Sequence, residues 1–479
     1  MDVSEYWIKR LLMTSSLFVL ACLRCASCEK KLFCYYSSEA QYRTYPAKFQ
    51  PSDLDVTLCT HIIFAFAEVK NAKLAPLNWN DQGPTGLYAQ VTSLRTKNPE
   101  LKILLAIGGW VAGYEPFYDV VESEQTISRF ADNAITYLRD AGMDGLDVDW
   151  EFPGSRGSPG EDKFKFTLLL KTLFRKFRDE AVRTKRDRLL LTAAVAVGIE
   201  FIEPAYETTE IHKYVDFMLL MTYNFHGGWD NVTSHHSTVL PSQYDMGEET
   251  WLCQNWAVNF WLSQGVPKSK ILLGLATYGM SFTLEDARQN RLKAPVLDFG
   301  RGGQYTRQEG ILAYFEICEN VQRRGWKSYW INDQQAPYAT SADQWVAYDD
   351  MASIKFKAEQ MVNGYDLAGA FIWSVELDDF NGFCGSGKYP LLRALNDVIR
   401  RGNRAGLSPS EFQKLPDVVF PSSECAVLGM GSHSDSRNCR WFKLCSPVNG
   451  KFRMKTYRCP EGQSYNSTSR ICDVSPYCF

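Results

Sequence analysis

The sequence predicts an α/β fold: a TIM (β/α)8 barrel with an α+β insertion between its last two strands, plus a small disulfide-rich β module at the end of the chain. Three observations predict it. Eight short apolar, β-rich runs recur between residues 31 and 373. Amphipathic stretches with apolar residues three and four apart separate several of them. Strands alternating with helices close into a parallel barrel. Finally, six of the 14 cysteines crowd the last 55 of 479 residues. So small a segment builds little core and needs such staples.

The predicted strands are "KLFCYY" (31–36), "HIIFAFA" (61–67), "LKILLAIGG" (101–109), "GLDVDWE" (145–151), "LLLTAAVA" (189–196), "VDFMLLMTY" (215–223), "KILLGLA" (270–276) and "LAGAFIW" (367–373). "EQTISRFADNAITYLRDAG" and "EDKFKFTLLLKTLFRKFRDEAV" read as covering helices. The gap before the eighth strand is far longer than one helix needs, so an insertion is expected over about 282–348. Gly300, Gly302 and Gly303 are read as turn glycines there, because no strand–turn–helix context makes a phosphate loop. The barrel domain is expected over 29–401. "GNRAGLSPSEFQKLPDVVFPSSE" reads as a linker over 402–424, and the cysteine module follows over 425–479.

Lys9 and Arg10 precede an apolar run, Leu11–Leu23, and Ala26 and Cys28 suit a cleavage site before Glu29. Residues 1–28 are therefore expected to be a signal peptide, and the mature chain secreted and extracellular. The run falls short of the ~20 residues that span a bilayer, so no membrane span is expected. Export and a terminal cysteine cluster imply disulfides. Asn231 and Asn466 open sequons for glycosylation. Net charge is −3, from 52 basic and 55 acidic side chains, which leaves no electrostatic footprint for nucleic acid. The chain is expected to be a monomer without cofactor. The six histidines show no metal-ligand spacing, and His235 and His236 are expected in a surface loop.

The stretch "DGLDVDWEFPG" carries the chemistry. Side chains alternate faces along a strand, so Asp147, Asp149 and Glu151 share one face, and Glu151 stands at the strand's C-terminal end. Barrel active sites form at that end. Carboxylates this close cannot all ionise, so at least one pKa rises, and a carboxyl protonated near neutral pH is a general acid. A solvated acidic loop fits poorly with the interleaved Leu, Val, Trp and Phe. A calcium site would favour a flexible loop with Gly and Asn ligands. Serine hydrolase chemistry lacks a G-x-S-x-G elbow.

"DGLDVDWE" resembles the D-x-x-D-x-D-x-E signature of glycoside hydrolase family 18, the chitinases. "CYYSSEAQYR", "LCTHIIFAFA", "LLAIGGW", "MTYNFHGGW", "ATYGMSF", "QWVAYDD" and "GAFIWSVELDDFNGFC" follow in that family's order. The resemblance implies a chitinase, with endo cleavage the expected mode. The substrate's 2-acetamido group attacks the anomeric carbon and configuration is retained. Glu151 would be general acid and then base. Asp149 would orient the acetamide and stabilise an oxazolinium intermediate. Asp147 would share a proton with Asp149, Asp144 would be structural, and Tyr223 would hold the acetamide carbonyl. Tyr35, Trp79, Trp110, Met221, Asn224, Tyr278 and Trp373 match substrate-binding positions. The resemblance also implies disulfides Cys34–Cys59 and Cys318–Cys384, which leaves Cys253 over; it is read as a buried free thiol, with a pair to Cys28 open if cleavage falls earlier.

Some residues depart from the family's common ones: Glu39 for Trp, Phe152 for Tyr, Asn224 for Asp, Met280 for Arg and Phe371 for Met. None replaces an expected catalytic group, so retained chemistry with altered subsites is expected. The alternative is a chitin-binding lectin that folds as a chitinase without cleaving. Lectin relatives typically lose the acid or a neighbouring Asp, and both are intact here. A third reading, an endo-β-N-acetylglucosaminidase acting on glycoproteins, is disfavoured by the terminal module.

The last six cysteines are separated by 13, 5, 13, 12 and 5 residues, which by itself leaves fifteen pairings open. Zinc is the alternative, but these six cysteines contain no C-x₂-C pair and the compartment is oxidising. The spacing resembles the peritrophin-A chitin-binding domain. That resemblance implies the pairs Cys425–Cys445, Cys439–Cys478 and Cys459–Cys472. Trp441, Phe442, Phe452, Tyr457 and Tyr465 are candidates for its sugar face. The implied partners are chitin and chitooligosaccharides. A tail held on an insoluble polymer raises the cleft's effective concentration there.

Overall fold

The computed structural model describes residues 30–404 and five short strands of the tail. The last barrel helix, Pro390–Arg404, runs three residues into the expected linker; the leader, the rest of the linker and Cys425, Cys439, Cys459 and Cys478 lie outside the described residues. The barrel strands are β1 (Lys31–Ser37), β2 (His61–Lys70), β3 (Lys102–Gly108), β4 (Gly145–Asp149), β5 (Leu190–Val195), β6 (Phe217–Leu220), β7 (Ile271–Ala276) and β8 (Gly369–Trp373). They pair in parallel in the order β1-β8-β7-β6-β5-β4-β3-β2, and β1 also pairs β2, which closes the ring. Every strand is buried over most of its length, as expected of a parallel sheet covered on both faces.

Helices cover the outside for the reason their periodicity gives. Glu124–Asp140 buries Ile127, Phe130, Ala131, Ala134 and Leu138, and Ser123 caps it by accepting from Thr126 N. Asp162–Thr184 buries Phe166, Leu169, Leu170, Leu173 and Phe177. Trp150, just beyond β4, meets Phe166 of the second helix edge-on and stacks at 4.5 Å on Phe117 of the short helix Glu115–Tyr118.

The insertion is a sheet of strands Val296–Phe299, Tyr278–Leu284, Gln344–Ala347, Ala336–Ser341 and Lys327–Ile331, in that order, with Ile311–Ala313 also on Tyr278–Leu284. It begins at Tyr278, immediately after β7 and Thr277, earlier than the sequence suggests. The apolar alternation of Tyr278–Leu284 continues β7 almost without a break and hides the boundary. Disulfides Cys34–Cys59 and Cys318–Cys384 are present, and Cys253 is a buried thiol whose pKa burial pushes up to about 12. Asn231 is exposed.

The expectation of a surface loop at His235 and His236 is wrong. Both are fully buried and stacked at 5.6 Å. His235 Nε2 faces Tyr348 O at 2.9 Å, and the segment 233–239 is buried throughout. Its polar residues mimic a loop, but Thr233, His235 and Ser237 find partners in an internal network.

The tail strands Gly431–Ser434, Trp441–Val448 and Lys451–Arg458 form an antiparallel sheet, and Ser464–Asn466 pairs Ile471–Asp473. Phe442 lies opposite Tyr457, and Phe452 opposite Pro447, along the central pair.

Candidate active site

The C-terminal ends of the strands gather the carboxylates. Asp147 and Asp149 lie on β4, and Glu151 follows two residues beyond its end. Gly108 at the end of β3 lets the backbones close in: it holds φ +97°, and a Cβ there would sit 2.0 Å from Asp149 O. Gly109 N donates to that same carbonyl at 2.7 Å. Across the ring, Gly274 on β7 leaves room for Tyr223, since a Cβ would lie 2.9 Å from its ring.

Asp147 is fully buried. Its Oδ2 accepts from Tyr35 OH at 2.7 Å and its Oδ1 from Thr192 Oγ1 at 2.5 Å. Burial raises its pKa to about 6, against the opposing pull of those two donors. Asp149 is 4% exposed, and its Oδ1 is buried without a hydrogen-bond partner. Burial first, then the charges of Glu151 and Asp147, push Asp149 well above the ordinary carboxylate range. Glu151 is half-buried, and burial raises it to about 7, with Arg156 pulling the other way. Burial therefore leads at all three groups. Mutual repulsion, the sequence-based expectation, ranks below burial at Asp149. The expected Asp147–Asp149 proton sharing has a rival in the structure, because Asp147 spends both oxygens on Tyr35 and Thr192.

Aromatic side chains surround this group. Tyr223 meets Tyr278 and Phe371 edge-on at 6.2 and 6.0 Å. Trp373 is half-buried at the end of β8 and lies 5.1 Å from Tyr35. Tyr35 is 1% exposed, so it supports Asp147 from beneath instead of forming an open wall. Tyr278 is also buried, and its hydroxyl donates to Asn224 Oδ1 at 2.6 Å. Met221 is half-buried beside Tyr223 in sequence. Trp79 and Trp110 are 88% and 56% exposed, the free faces a stacking ligand needs. Phe152 packs on Phe201 at 5.0 Å, Met280 is buried, and Glu39 is exposed. Asp144 is paired with Arg95 at 2.5 Å and accepts from Ile103 N, a structural role at the opposite end of β4.

Sequence reasoning missed three neighbours. Arg156 lies over the Trp110 ring at 3.5 Å and donates to the carbonyls of Glu151 and Trp110. Its loop, "GSRGSP", has no pattern that marks it. Trp229 is 56% exposed and meets Phe299 edge-on at 6.5 Å. Gly227 lets Trp229 and Met280 share one spot, since a Cβ there would be within 3 Å of both. An aromatic strip thus runs from Tyr223 through Tyr278 and Met280 to Trp229 and Phe299.

Among the described residues, Cys318, Asp379 and Cys384 alone cluster at metal-ligand distance, and the two cysteines are joined as a disulfide.

Comparison with known proteins agrees with this geometry. The family model "Glycosyl hydrolases family 18" matches residues 31–378, and "Chitin binding Peritrophin-A domain" matches 425–478. Mouse Chitotriosidase-1 is 42% identical over 392 residues, 82% of this chain and 81% of that protein. Human YKL-39, described as a pseudo-chitinase with retained chitooligosaccharide binding, superposes with a TM-score of 0.73 at 37% identity, over 78% of this chain and 100% of that one. The Group IV chitinase of Ostrinia furnacalis in complex with allosamidin gives 0.74 at 35% identity, over 78% and 99%. The chain belongs to glycosyl hydrolase family 18 and carries a peritrophin-A chitin-binding domain.

Proposed function

We propose that this protein is a secreted chitinase that hydrolyses β-1,4 N-acetylglucosamine linkages in chitin and chitooligosaccharides by substrate-assisted, retaining catalysis. One observation carries the reading: a half-buried Glu151 raised to about 7, beside an Asp149 whose buried Oδ1 has no protein partner. A buried acceptor left open costs stability unless a ligand supplies the donor. An acetamide N–H is such a donor.

In this mechanism the substrate's acetamide oxygen attacks the anomeric carbon while Glu151 gives its proton to the leaving oxygen. Asp149 takes the acetamide N–H and balances the positive charge of the oxazolinium. Tyr223 holds the acetamide from the opposite side. Water then opens the oxazolinium, its proton going to Glu151, and configuration is retained. Trp373, Trp110 and Trp79 stack the sugars. The chitin-binding domain keeps the cleft at the polymer surface. Among the described residues no helix is long and apolar enough to cross a membrane, which is compatible with secretion.

The pseudo-chitinase neighbour keeps a second reading in view, a lectin that binds without cleaving. The intact Asp147, Asp149 and Glu151 favour the enzyme. Hydrolysis of a chitin tetramer by wild type and Glu151→Gln across pH decides. Cleavage with retained β-configuration by wild type and near-loss in the variant supports the chitinase. Binding without cleavage at any pH supports the lectin.

A further inference from the structure

Asn224 is exposed and sits at φ +57°, a left-handed conformation that Asn and Asp tolerate. Two contacts hold it there. Its backbone N–H donates to His236 Nδ1 at 3.4 Å, and the next N–H, of Phe225, donates to His236 O at 2.9 Å. His236 is fully buried, and burial, with His235 and Lys357 nearby, holds its pKa well below the ordinary range, so the ring is neutral and the Asn224 N–H contact makes Nδ1 its acceptor. The side chain is fixed as well. Tyr278 OH donates to Asn224 Oδ1, so the amide's accepting oxygen is engaged and the NH₂ is the end that this exposed residue has left to offer a ligand. This wall is therefore a neutral hydrogen-bond donor.

The charges around it do not change that. Asp230 is held by His226 Nδ1 at 3.0 Å and by Gly227 N at 3.1 Å. Glu151, raised by burial to about 7, is mostly protonated at mildly acidic pH.

We infer that Asn224 is a specificity-determining residue that makes the cleft select N-acetylglucosamine over glucosamine at the sugar next to the one whose bond breaks. An acetamide offers a carbonyl acceptor to the Asn224 NH₂. A glucosamine ammonium offers only donors and meets no countercharge. The reacting sugar must carry its acetamide in any case, so the choice shows at its neighbour, along the strip from Tyr278 to Trp229. This inference rests on the chitinase reading and deepens it.

The test compares the full-length protein with Asn224→Asp, which fits the same backbone and replaces the donor by a carboxylate. Both digest partially N-acetylated chitosan at mildly acidic pH, and the ends of the products are sequenced. Wild type is expected to leave new non-reducing ends depleted in glucosamine relative to the polymer. Asn224→Asp is expected to raise glucosamine there about fivefold, the scale of an exposed ion pair. New reducing ends stay acetylated in both. Wild-type ends that mirror the polymer's composition, or equal ends in the two proteins, overturn the inference. Titration of acetylated and partly deacetylated oligomers gives the same ratio as affinities, so the inference is tested even if neither protein cleaves. In that case the chitinase reading falls by itself.

Discussion

Two buried polar clusters in this barrel have opposite finish. In one, Asp147, Asp149 and Glu151 are crowded, raised in pKa, and include an oxygen with no partner. In the other, Asp349 and Lys357 are both 0% exposed and 2.5 Å apart. Ser353 Oγ donates to Asp349 Oδ1, while Ser237 Oγ and Lys357 Nζ serve Oδ2. Burial alone would raise Asp349, yet Lys357, His235 and these donors hold it below its ordinary value. Asp147 is as deeply buried as Asp349 and both its oxygens are hydrogen-bonded, so what separates the two clusters is the cation that Asp349 has in Lys357, together with the open oxygen of Asp149. A closed network fixes structure, whereas an open one is poised for a ligand and a proton.

The comparison breaks most sharply at the acid. Glu151→Gln is expected to lower hydrolysis of chitin oligomers on the order of 10³-fold, within the range of general acid catalysis. Its midpoint in urea is expected to hold or rise, because it removes a raised carboxyl and no ion pair. A loss of stability matching the loss of rate would move Glu151 into the structural class. Lys357→Met is the mirror experiment. It leaves Asp349 buried and unpaired, which costs about 3–5 kcal/mol of unfolding free energy. The double variant Lys357→Met/Asp349→Leu is expected to recover much of that in urea denaturation. A single variant as stable as wild type would show that the pair is dispensable.

Much of this was legible in the sequence, and the limits are physical. All eight barrel strands were foreseen to within a few residues, because a parallel strand buried on both faces leaves a continuous apolar run. Asp147, Asp149 and Glu151 were legible because period-two spacing fixes a shared face. The Asp349 network was not. Its members Ser237 and Lys357 are 120 residues apart, joined only by folding. His235 and His236 misled for the same reason: "TSHHST" is polar in composition, and burial of its groups depends on partners from the insertion. Tyr35 reads as a cleft residue, but its hydroxyl turns inward to Asp147.

The two clusters also answer pH with opposite sign. Asp147 is raised in the folded protein, so its contribution to stability is full below the unfolded carboxylate range and is lost as pH rises through about 6. The unfolding free energy of Asp147→Asn relative to wild type is expected to improve over that window, by on the order of 2 kcal/mol. Asp349 is lowered, so its contribution is full above the unfolded range and is lost as pH falls through its depressed folded value. The deficit of Asp349→Asn is expected to shrink on acidification. Urea denaturation at a series of pH values reads both, and parallel curves for wild type and variant would remove the distinction.

The smallest expected effect lies at Arg156. Burial raises Glu151 to about 7, and the Arg156 charge works against it. The general acid must be protonated, so activity falls as pH rises through that value. Arg156→Gln removes the opposing charge, and the alkaline limb of kcat is expected to move to higher pH. The substitution also takes a cation off the Trp110 face and two donors off the carbonyls of Glu151 and Trp110. A looser Trp110 weakens stacking in the ground state and transition state alike, so KM is expected to rise about fivefold for a cation–π contact of roughly 1 kcal/mol. The two readouts are separable. A moved pH limb with unchanged KM would make Arg156 an electrostatic partner of the acid, and a raised KM with an unmoved limb would make it a brace for the Trp110 platform.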